Sequence, residues 1–184
     1  MPVIAWLSGI VIAVVVAVIV YFFAGFYNVS ALRPGNSVMS SALESIREAS
    51  VERHAEATPP AGLDDASMVQ AGAHEFVEEG CVMCHGSPGV KPAKFEQGLD
   101  PQPPGVDDIG QDMSAAEVFW IIHNGIRMTA MPAFGGHTSS DEQWKLVSYI
   151  RHIRQVTPQQ FATWNADMHP PAPREGEKPD SDRD

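Results

Sequence analysis

The pattern of apolar and polar positions changes character several times along the chain, and each change marks a segment. From Val3 to about Phe26 apolar residues run almost unbroken, with Ser8 and Gly9 as weak interruptions, and no Asp, Glu, Lys, Arg or His occurs before Arg33. As a helix this stretch is roughly 33–36 Å long, enough to cross a hydrocarbon core of about 30 Å. A cleavable signal peptide would have an apolar core of only about 7–15 residues behind a positive n-region. Here the core is longer, the n-region lacks Lys and Arg, and bulky Tyr21, Phe22, Phe23, Phe26 and Tyr27 stand where cleavage needs small side chains. Residues 1–28 therefore read as a retained single-pass transmembrane anchor, with Trp6 and the later aromatics suited to its two interfaces.

Beyond the anchor the period becomes helical. Arg33-Pro34-Gly35-Asn36 reads as a turn, after which Val38, Met39, Ala42, Leu43, Ile46 and Ala49 recur at three- and four-residue steps up to about Ala55. This is a short amphipathic helix in a juxtamembrane stalk, 29–61, lying on the domain or on the membrane surface. Thr58-Pro59-Pro60-Ala61-Gly62 ends it, because prolines cannot continue a helix. A globular unit follows over 62–157. Asp64 or Asp65 caps a first helix through Met68, Val69, Ala73, Phe76 and Val77 that delivers Cys81 at its C-terminal end. Ser114 opens a second helix with Ala115, Val118, Phe119, Ile121 and Ile122 on its apolar side. Ser140-Asp141-Glu142-Gln143 reads as a capping box for a last helix carrying Trp144, Leu146, Val147, Tyr149, Ile150 and Ile153. Thr157-Pro158 closes the last regular element, and 158–184 is a Pro-rich acidic tail expected to be disordered. The expected fold class is all-α, a single N-terminal transmembrane helix joined to a small helical domain.

Composition sharpens this division. Twenty-three of the first 28 residues are hydrophobic, which inflates the overall 44%, and the whole net charge of −11 falls beyond them. That balance excludes a plain soluble enzyme, a polytopic membrane protein and a nucleic-acid binder, since phosphate backbones are held by clustered Lys and Arg. Orientation stays open on charge alone: Arg33, Arg47 and Arg53 follow the span and nothing basic precedes it, which on a simple positive-inside count leaves the domain in the cytoplasm.

A unit of about 95 residues has a small core and often needs a staple or a filler to be stable. Its two cysteines, the only ones in the chain, lie in Cys81-Val82-Met83-Cys84-His85. Cys-x-x-Cys-His is the signature of covalent c-type haem attachment. Two thiols on one helical turn can each add to a haem vinyl group, and the next residue can offer its imidazole to the iron. Three other readings fit less well. A disulfide across so short a loop is strained, a thioredoxin-like pair expects a βαβ pattern that is absent, and a zinc site needs four ligands.

Asn124-Gly125-Ile126-Arg127-Met128-Thr129-Ala130-Met131-Pro132-Ala133-Phe134-Gly135 supplies two methionines in a Gly- and Pro-held loop. With Cys-x-x-Cys-His near the domain's start and Met-Pro-Ala-Phe-Gly before its last helix, the chain resembles a membrane-anchored class I c-type cytochrome. The resemblance implies one covalently attached haem c, with His85 and Met131 on its iron and Met128 as the alternative sixth ligand. It implies that the first and last helices cross closely, with Gly72 and Phe76 facing Trp144 or Tyr149. It also implies that a proline carbonyl in Gly98–Val106 accepts the other ring N–H of His85. Pro104, followed one residue later by Val106, matches best, and Pro103 is the alternative. His74, His123, His137 and His152 read as surface or half-buried imidazoles, while His54 and His169 fall outside the domain.

No nucleophile context or acid/base machinery appears, so an enzyme is not expected. A His/Met pair leaves the iron no open position and favours one-electron transfer at a positive potential. Because covalent haem is attached after export, the motif implies that the domain faces the periplasm from the cytoplasmic membrane. Three readings follow: a tethered electron carrier in a respiratory chain, a permanently bound subunit of a membrane dehydrogenase or oxidase, and a haem enzyme or gas sensor with Met131 detached. Expected partners are the membrane and redox proteins such as a quinol-oxidising cytochrome complex, a terminal oxidase or reductase, or a periplasmic dehydrogenase. The domain's 13 Asp/Glu against 6 Lys/Arg suit partners with positive patches.

Overall fold

The computed structural model describes residues 2–32, 37–105, 108 and 112–167, and the chain divides into two units, Met1–Pro34 and Gly35–Asp184. In the first unit, α1 (Pro2–Phe23) carries no charged side chain. Its window Trp6–Phe23 has a mean hydropathy of 2.7 and is long and apolar enough to cross a membrane. The apolar side chains described along it are exposed in the isolated chain.

The second unit contains α2 (Ser37–His54), α3 (Ala66–Glu78), α4 (Cys81–His85), α5 (Ala115–Asn124), α6 (Ser140–His152) and α7 (Pro158–Trp164). Short 3-10 turns at Lys94–Gly98 and Ile153–Gln155 complete it, and the described residues contain no strand, only an isolated bridge between Ser87 and Val90. The chain is thus all-α, as its periodicities imply.

Its core is the crossing of α3 and α6. On α3, Val69, Gly72, Ala73 and Phe76 repeat at three- and four-residue steps and are buried, so one stripe of the helix meets its partner. At Gly72 the backbones touch: a Cβ there would collide with the Lys145 carbonyl and lie 2.8 Å from Tyr149 Cβ. Phe76 stacks obliquely on Tyr149 with ring centroids 5.2 Å apart. Of the two aromatics anticipated opposite Gly72 and Phe76, Tyr149 meets both. At the rim of the crossing, Lys145 bonds Glu75 (3.3 Å) and Asp141 (3.4 Å). Ser148, fully buried, donates from Oγ to the Leu63 carbonyl at 2.6 Å and fastens the chain entering α3 to α6. α5 closes the core with Ala115, Val118 and Ile122.

Several local expectations shift. Ser139, not Ser140, caps α6, because the bond partner at the third helical position is Glu142. Gln143, which the Ser140 reading would place there, points inward and is fully buried. Asp65 occupies the N-cap of α3 but makes no side-chain cap bond. Cys81 does not end α3; Glu79 and a left-handed Gly80 intervene, and Cys81 starts α4. Thr157 and Pro158 do not close the regular structure. Thr157 forms a capping box with Gln160, Pro158 sits in the first turn where its missing N–H is harmless, and α7 buries Phe161. The acidic tail thus starts after this helix; 168–184 and the segment 33–36, where a turn is expected, lie outside the described residues. His54 belongs to the domain's packing, stacking on Trp120 of α5 at 6.1 Å, while Val51 on the same helix is 2% exposed. The C-terminal end of α2 is therefore seated on the domain.

Candidate functional site

Gly80 and Gly86 bracket α4 at positive φ, 75° and 69°, which glycine adopts without steric penalty. The five-residue helix between them puts Cys81 and Cys84 one turn apart with His85 next in line. Both cysteines are free and half-buried. Burial, with the nearby Glu79 carboxylate as a smaller cause, pushes the Cys81 thiol up to about 12. A thiol–disulfide redox pair needs the opposite shift, so the environment of Cys81 argues against thioredoxin-like chemistry.

His85 Nδ1 lies 2.8 Å from the carbonyl oxygen of Pro104, 19 residues downstream. A carbonyl only accepts, so Nδ1 donates and Nε2 is left as the imidazole's lone-pair donor. Pro104, not Pro103, makes this bond; Val106 lies outside the described residues. Behind the motif, the Ala93 N–H bonds the Met83 carbonyl at 2.8 Å. Ser87, two residues after His85, hydrogen-bonds the Tyr149 hydroxyl of α6. Burial raises the Tyr149 pKa well above its ordinary value, so this link persists across the physiological range.

The other element of the candidate site is the loop 125–135, which carries Met128 and Met131. Gly125 ends α5 at φ 64°, and a Cβ there would lie 2.7–2.8 Å from the Met131 carbonyl oxygen, the Pro132 carbonyl carbon and the Ala133 nitrogen. Only glycine lets the two limbs of the loop approach so closely. The Ile126 N–H bonds the Met131 carbonyl (3.2 Å), and Thr129 Oγ1 donates to the Ile126 carbonyl (2.8 Å) while accepting from the Met131 N–H (3.1 Å). The two methionines separate sharply. Met131 packs against the buried core that also borders Cys81, whereas Met128 is 86% exposed, at φ 63°.

Sequence reasoning missed one feature beside this loop. Gln143 Nε2 donates to the Thr138 carbonyl (2.7 Å), and its Oε1 faces His123 Nδ1 (3.0 Å). The signal was a glutamine at four- and seven-residue steps before Val147 and Ile150, an amide on an apolar stripe. The other histidines have ordinary partners: His137 lies 3.7 Å from Glu79, and His152 meets the Ser148 carbonyl (2.8 Å) and Asp64 (3.5 Å). No group of three or more His, Cys, Asp or Glu able to hold a metal occurs among the described residues.

The donor set fits a c-type haem: two unbridged thiols one helical turn apart, an imidazole oriented through its Nδ1, and one thioether drawn to the core. A family model described as cytochrome c oxidase, cbb3-type, subunit III matches residues 67–150. No curated protein and no solved structure matches the chain.

Proposed function

Starting from residues 67–150 as a class I c-type cytochrome domain, whose haem-based work is electron transfer, we propose that the chain is a membrane-tethered monohaem cytochrome. It transfers single electrons on the periplasmic side of the cytoplasmic membrane. Cys81 and Cys84 would hold one haem c covalently, with His85 and Met131 as its axial ligands. When bound, the haem supplies a one-electron ferric–ferrous couple.

The observation that carries this reading is the His85 Nδ1–Pro104 bond, which turns the imidazole's other nitrogen into an oriented ligand. The contrast between Met131 against the core and Met128 in solvent supports Met131 as the sixth ligand. Tethering through α1 confines the domain to the membrane plane, which raises the effective concentration of membrane partners. The side of the membrane follows from the chemistry of attachment, which takes place after export.

One observation favours a second arrangement. The matched model is described as an oxidase subunit, and a fixed subunit in a terminal oxidase or dehydrogenase would use the same site. Mild detergent distinguishes the two arrangements. Full-length protein from native membranes that runs with one stoichiometric haem enzyme through successive columns is a bound subunit; protein that runs alone is a carrier. For the reading itself, the full chain is produced in a host that matures c-type cytochromes. The expected result is membrane-bound haem that survives acid–acetone extraction and is lost in Cys81→Ala/Cys84→Ala. Haem that extracts freely from the parent chain would overturn it.

A further inference from the structure

We propose that His123 and Gln143 are positioning residues for the loop that carries Met131. This rests on the reading of Met131 as the sixth ligand. Gln143 is 0% exposed, and its two polar atoms have one partner each: Nε2 donates to the Thr138 carbonyl at 2.7 Å and Oε1 lies 3.0 Å from His123 Nδ1. With the amide nitrogen committed to Thr138, Oε1 must accept, so the network assigns the Nδ1–H tautomer to His123. The imidazole stacks on Phe119 (5.8 Å, 17°), which stacks in turn on Trp144 (4.3 Å, 21°). Its atoms also face Gly135 so closely that a Cβ there would lie 2.5–2.7 Å from Cε1, Nε2 and Nδ1.

These contacts grip the chain directly after Met131-Pro132-Ala133. The Phe134 N–H bonds the Ile122 carbonyl (3.0 Å), the Gly135 N–H bonds the His123 carbonyl (2.9 Å), and the Thr138 N–H bonds the Phe134 carbonyl (2.9 Å). Backbone bonds set the path, while the His123 ring seats Gly135 and Gln143 holds Thr138. Displacing Met131 from the iron requires the loop to lift. Lifting it would draw Gly135 off the His123 ring and Thr138 away from the Gln143 amide, leaving a buried carboxamide N–H without its acceptor, which is disfavoured away from water. The pair thus opposes ligand exchange, and ligand exchange measures it.

The test is binding of exogenous imidazole to the ferric full-length protein in detergent, with the far-red methionine–iron band as a second readout. Gln143→Leu removes both bonds. His123→Phe/Gln143→Met replaces both partners with apolar groups of similar size, which avoids a stranded polar atom. Both variants are expected to keep covalent haem and to bind imidazole at least tenfold more tightly than the parent; Gln143→Glu, retaining the acceptor for His123, is expected to fall between. Affinity within twofold of the parent in either folded variant would overturn the positioning role. Failure of both to fold would also overturn it, making the pair a core element and not a grip on the loop. A parent protein lacking the far-red band would instead overturn Met131 as ligand.

Discussion

Met128 and Met131 are chemically identical side chains three residues apart, and their surroundings differ: Met131 packs against the core and Met128 is exposed. A thioether bound to iron must be held where solvent cannot compete, and only Met131 is packed against the core. Thr129 and Gly125 fix its backbone by the bonds and close approach described above. Met131→His is therefore expected to keep the covalent haem, lower its reduction potential and abolish the ferric far-red band. Met128→His should leave both unchanged; spectra and potentiometric titration of the two variants check the pair. The motif at Cys81–His85 was legible because its chemistry is local in sequence. The choice between Met128 and Met131 rested on resemblance, since burial of a loop residue depends on chain that folds back from α5 and α6. His123 and Gln143 were not legible for the same reason: they are 20 residues apart and meet only across the helix packing.

Helices α3, α5 and α6 could be read from apolar periodicity, and even the α3–α6 contact at Gly72 was implied by the resemblance to class I c-type cytochromes. Gly72→Val is expected to lower stability by on the order of 3 kcal/mol, because the added methyl groups must force the α3 and α6 backbones away from each other. Denaturant unfolding of the haem-loaded protein measures this. α7 escaped the sequence because it is only seven residues long, opens with a proline and is followed by an acidic tail. Its single buried aromatic gives it away in three dimensions: Phe161 stacks on Tyr149 with ring centroids 6.0 Å apart. Phe161→Ala should cost about 3 kcal/mol in the same unfolding measurement, a loss no disordered tail would produce. The cap of α6 slipped by one residue for a simple reason. Ser139 and Ser140 both satisfy the motif spacing, and the buried bonds of Gln143 decide between them.

For the molecule as a whole, the opposed properties of its two units define the proposal. An uncharged α1 would set the location, and an acidic haem domain would meet partners through complementary positive charge. Association with a basic redox partner should weaken steeply as ionic strength rises from about 10 mM to 150 mM, where the Debye length falls from about 30 Å to 8 Å; stopped-flow electron-transfer rates at the two salt levels read this out. The central claim is that a six-coordinate, covalently held haem, tethered to the membrane through α1, passes one electron at a time. It is tested most directly by a redox titration of the full chain in isolated membranes, with and without carbon monoxide. The account predicts one wave with one-electron slope, and a reduced spectrum that carbon monoxide does not alter at neutral pH. A carbon monoxide adduct of the reduced protein, or haem absent from the membrane fraction, would contradict it.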